Sequence, residues 1–63
     1  MKVSKVSFTY GAEGYDLEIV IRTPQAISGL MVAKLEEYIA DSLEKYGGIL
    51  IHKVKLNVQA WSV

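Results

Sequence analysis

The chain holds one histidine, His52, one tryptophan, Trp61, four tyrosines and no cysteine. That inventory excludes thiolate nucleophiles and thiolate-bound zinc, and a single imidazole cannot supply the paired histidines of many catalytic metal sites. Ser-His-Asp chemistry would need His52 held between a serine and a carboxylate with water excluded, and 63 residues offer little bulk for such enclosure. The sequence contains no phosphate-binding P-loop and no glycine fingerprint between a strand and a helix. It reads as the sequence of a non-enzyme, with no catalytic residues, no cofactor and no metal.

Three groups of residues remain able to bind something. Tyr10, Tyr15, Tyr46 and His52 would gather at one end of the core if a helix ending at Tyr46 ran antiparallel to the strand that starts at Tyr15. Phenol and imidazole groups could then orient a flat or polar ligand. The plainer reading is that the tyrosines close the end of a small core with their hydroxyls in water. Lys5, Arg22, Lys53 and Lys55 face the same way as Asp16 and Glu18, a net excess of two positive charges on a sheet that ends at Trp61. Base-stacking sheets carry two or three central aromatics, and about four phosphate contacts would bind weakly and with strong salt dependence, so nucleic acid is not favoured. The third group, Lys53, Lys55, Asn57, Gln59 and Trp61, lies along one face of the last strand and suits contact with another chain. The acidic set Glu36, Glu37, Asp41 and Glu44 reads as a solvated helix face, with Asp41 and Lys45 four residues apart and Lys34 and Glu37 three apart.

These residues need elements to hold them, and the hydrophobic pattern supplies four. Residues 2–10 alternate with Val6, Phe8 and Tyr10 on one side; residues 15–22 alternate with Tyr15, Leu17, Ile19 and Ile21 on one side. Folding them back through "GAEG" pairs Tyr10 with Tyr15, Phe8 with Leu17, Val6 with Ile19 and Ser4 with Ile21. A helix follows over 24–46, with Thr23 as its cap and Pro24 as its first residue, or with Ser28 as the cap and a firm start near Gly29. Leu30, Met31, Leu35, Tyr38, Ile39, Leu43 and Tyr46 make its apolar stripe, and Gly47 can take the left-handed C-terminal position. Residues 49–61 form the last strand. Leu50, His52, Val54, Leu56, Val58 and Ala60 share its dry face unless a bulge near His52 reverses the histidine.

The expected architecture is one α+β domain over 1–63, a two-layer β-β-α-β arrangement. One helix covers one face of a three-stranded antiparallel sheet ordered 2-1-3. Seven basic residues balance seven acidic ones, which gives no electrostatic bias towards nucleic acid or membrane. With no cysteine and no long apolar run, a cytoplasmic chain that is mature from its first residue is expected. A last strand longer than its neighbours should overhang at "NVQAWSV", and such a small domain gains stability from a partner. The expectation is a homodimer or higher oligomer joined through the last strand and binding another protein. It would act as an inhibitor, adaptor or assembly factor of the kind phages and other mobile elements encode, with small-ligand sequestration and weak nucleic-acid binding as alternatives.

Overall fold

A computed structural model describes residues 1–61; Ser62 and Val63 lie outside the described residues. Strands β1 (Lys2–Gly11) and β2 (Gly14–Thr23) precede helix α1 (Gly29–Gly47), and strand β3 (Ile51–Ala60) follows it. The described residues form an α+β fold with three strands and one helix, and among them no helix is long and apolar enough to cross a membrane.

The hairpin forms with Tyr10 opposite Tyr15, Phe8 opposite Leu17 and Val6 opposite Ile19. Its far end departs from strict alternation. The register shifts between Val3 and Lys5, so Val3 rather than Ser4 faces Ile21. The slip keeps an apolar residue on the dry face and turns the extra residue, Ser4, out of the ladder.

The expected sheet order is corrected. The strands are ordered β1-β2-β3, with β1 and β2 antiparallel and β2 and β3 parallel, so the sheet is mixed and β2 is central. A β2-α1-β3 crossover into the adjacent position is the ordinary way to connect parallel neighbours. Opposite charges also favour this neighbour: Asp16 stands against Lys53 and Glu18 against Lys55. The bulge considered near His52 forms, since Tyr15 pairs with Ile51 and Asp16 with Lys53. His52 is the extra residue and joins the face of Asp16. At the same point Gly14 has φ 121°, and a Cβ there would lie 2.8 Å from the Leu50 carbonyl oxygen. Only glycine lets β2 start this close to the chain entering β3.

The expected overhang of the last strand is also corrected as far as Trp61; its Ser62 and Val63 lie outside the described residues. β2 and β3 are each ten residues long and pair from Tyr15–Ile51 to Thr23–Ala60, with the Trp61 N–H donating to the Thr23 carbonyl at 3.1 Å. The inner side of β3 is therefore lined along its length by its own chain. Because Thr23 is committed to the sheet, it does not cap the helix; its hydroxyl accepts only a long 3.5 Å contact from the Gln25 N–H. α1 begins five residues later than Pro24, at Gly29, with the Ser28 hydroxyl accepting from the Met31 N–H at 3.2 Å. At the other end Gly48, not Gly47, is left-handed at φ 65°, and the Ile49 N–H returns to the Leu43 carbonyl.

Among the described residues the buried apolar core is Leu17, Ile21 and Leu56, all on β2 and β3. Val32, Leu35, Ile39 and Leu43 of α1 are half-buried above it. No helix residue is completely buried.

Candidate functional site: an open apolar face beside a capped edge

α1 packs on β3 and leaves the β1 end of the dry face uncovered. Four apolar residues of β1, Val3, Val6, Phe8 and Tyr10, point to the same side as the core yet remain exposed, Tyr10 at 75% and Phe8 at 49%. Tyr15 binds them together from β2, with the Phe8 ring edge-on at 5.8 Å between centroids and the Tyr10 ring tilted at 4.9 Å. Monomeric proteins seldom leave so continuous an apolar row in water.

The rotation of the helix is fixed by two carboxylates. Glu36 Oε2 accepts from the Leu56 N–H at 2.8 Å and Glu44 Oε2 from the Ile51 N–H at 3.2 Å. The Trp61 N–H points to β2, so by alternation the Leu56 N–H points away from β2, along the free edge of β3. Glu36 and Glu44 thus hang over that edge and occupy donors that an added strand would need. Around the α1 axis they lie on one side of the half-buried Val32-Ile39-Leu43 stripe. Met31, Leu35, Tyr38, Ser42 and Tyr46 lie on the other side, which is turned towards β2 and β1. Met31, Tyr38 and Tyr46 are exposed. The helix flank and β1 thus lie at the two margins of the uncovered part of the dry face, with α1 packed on β3 and Tyr38 also bordering a hollow with Lys34, Glu37 and Asp41.

The expected tyrosine and histidine cluster is split between the two sides of the sheet. Tyr10 and Tyr15 stack on the dry face. His52 stands on the other face between two carboxylates, its Nε2 2.7 Å from Glu13 Oε2 and its Nδ1 2.8 Å from Asp16 Oδ1. Carboxylate oxygens only accept, so both contacts are hydrogen bonds when both ring nitrogens carry protons. The arrangement ties the hairpin loop to the β3 bulge at an exposed position. Tyr46 is exposed beside Lys45, whose ammonium lies 5.3 Å from its ring centre, and with Tyr38, Asp41 and Ser42 it borders an open hollow on the helix. Among the described residues no group of three or more His, Asp or Glu side chains is arranged to hold a metal ion.

On the polar face, Lys53 and Lys55 lie opposite Asp16 and Glu18, and a small hollow between these four also touches Ser7 and Thr9. Arg22 stacks over Trp61 at 5.6 Å from the ring centre, with Lys2 beside them. Trp61 thus has a cation-π partner within its own chain. Asn57 and Gln59 are exposed on the same face, and Lys5 stands beside Val20 on the β1 side.

The pattern reading missed Glu36 and Glu44 as edge caps. Their eight-residue separation puts both on one side of a helix, and that was the available signal. Comparison with protein-family models, curated proteins and solved structures finds no match to this chain.

Proposed function

We propose that this chain is a small, non-enzymatic protein-binding module of the inhibitor, adaptor or assembly-factor class, working in the cytoplasm through its open apolar face. The observation that carries this reading is the exposed row Val3, Val6, Phe8 and Tyr10, bordered by the apolar flank of α1. An aromatic-rich, rigid surface with a charged surround is what protein interfaces use for their central contacts. The ligand-sequestering alternative draws less support, because His52 and the Tyr10–Tyr15 pair take opposite faces of the sheet. The nucleic-acid alternative is weakened where Lys53 and Lys55 meet acidic partners across the strands.

The test is a titration with the hydrophobic probe bis-anilinonaphthalene sulfonate at dilutions where the chain sediments as a single copy. Probe fluorescence should rise on the wild-type chain and fall at least fivefold in a Val6→Ser, Phe8→Ser double variant. A single-copy wild-type chain that takes up no probe would remove the reading.

A further inference from the structure

We propose that the occupant of the open face is a second copy of this chain, packed face to face so that the α1 flank of each copy lies along β1 of the other. This rests on the docking-surface reading above and adds the identity and geometry of the partner.

Area is the first argument. A compact monomer of 7.0 kDa exposes about 4,000 Å² of surface, whereas this chain exposes 4709 Å². The surplus is close to the roughly 800 Å² that each side of a standard protein interface buries. The exposed parts of Val3, Val6, Phe8, Tyr10, Met31, Tyr38 and Tyr46 total about the same, given that one aromatic side chain buries about 150–250 Å². The radius of gyration, 12.5 Å, likewise exceeds the about 10.6 Å of a compact domain this long.

Layer geometry is the second. A helix is about 10 Å across and packed sheets are about 10 Å apart, so a second sheet fits on the uncovered strands at the level of α1. A two-fold axis running along the strands sets β1 and β2 of one copy on β2 and β1 of the other. Each helix then fills the space beside the partner's first strand. An axis across the strands would set β3 over β3 and drive each helix into the partner's β3. With the axis along the strands, chain directions are preserved, and α1 runs the same way as β1, both being antiparallel to β2. Met31 then meets the start of the other copy's first strand and Tyr46 meets its end. Lengths agree as well: nineteen residues of helix span about 28 Å and ten of strand about 33 Å.

Edge chemistry is the third. Joining two copies through β3 would have to displace Glu36 and Glu44 from its edge N–H groups, and joining them through β1 edges would leave Val6 and Phe8 in water. Only face-to-face packing removes the apolar row itself, and it is self-complementary, as a two-fold interface must be.

The deciding experiment is sedimentation equilibrium on the full chain with two single variants, Phe8→Glu and Tyr38→Glu, each checked for folding by circular dichroism. Tyr38 is 69% exposed, so its variant should fold even if Phe8→Glu does not. The expected result is a species of twice 7.0 kDa for the wild type and a dissociation constant raised on the order of a hundredfold by Tyr38→Glu, the size of a central contact. A dimer indifferent to folded Tyr38→Glu overturns the interlocked arrangement. A wild-type monomer overturns self-association, and the hydrophobic probe then separates the two ideas. Probe uptake lost on Phe8→Glu keeps the face as a docking surface for a different protein, whereas no uptake removes both.

Discussion

Leu17 on β2 and Phe8 on β1 are cross-strand partners on the same face, yet Leu17 is 4% exposed and Phe8 49%. The difference comes from which strand carries the helix. β3 receives α1 and has two backbone donors held by glutamates; β1 receives neither helix nor strand on its outer side. Hydrophobicity alone thus does not bury a residue in a domain this small, because the one helix can seal only about half of the face. The sealed half supplies the folding energy, and the open half is the surface for which a binding role is proposed.

The largest expected effect tests the sealed half at its tightest point. Gly14→Ala should cost about 2–3 kcal/mol, enough to unfold much of so small a domain, through its positive φ and the Cβ contact with the Leu50 carbonyl; thermal melting by circular dichroism reads this. Leu56→Ala should cost about 2–3 kcal/mol by emptying a place in a three-residue apolar core, measured by urea unfolding. Under dilution to the single chain, Val6→Ala should cost below about 1 kcal/mol, because little surface there is buried to begin with. Equal losses at Leu56 and Val6 under those conditions would erase the contrast between the halves. Glu36→Ala strips the partner from a part-buried N–H and should cost about 1 kcal/mol, with amide exchange speeding up at Leu56 and staying slow at Asn57, whose N–H points to β2, as the local signature. His52→Ala should change stability by about 0.5 kcal/mol or less, because both carboxylate contacts are exposed.

The hairpin was legible because period-two alternation in β1 and β2 leaves only one pairing that keeps both apolar sets together. The Ser28 cap was legible as one of two choices, and the commitment of Thr23 to β3 pairing, a tertiary fact, settled between them. The strand order was misread even though it had left a trace. Asp16 and Glu18 match Lys53 and Lys55 at equal spacing, a parallel charge register that argues for β3 beside β2. Lys2 and Lys5 mark β1 as an edge, where lysine discourages further pairing. The shared surface of β1 and α1 was out of reach, since it depends on helix rotation. That rotation is set by two side chain to backbone bonds between residues seven and twenty positions apart.

The central position of β2 also orders events during synthesis. Its partner on one side is made immediately before it, but its partner on the other side, ending where the Trp61 N–H meets Thr23, is translated only after α1. Until then the nascent hairpin holds Leu17 and Ile21 bare, with no cover to close over them. Such long-range closure slows folding and lengthens the interval of vulnerability to aggregation. A ribosome-bound chain halted before β3 should therefore be a better client for a chaperone than one in which β3 has paired with β2.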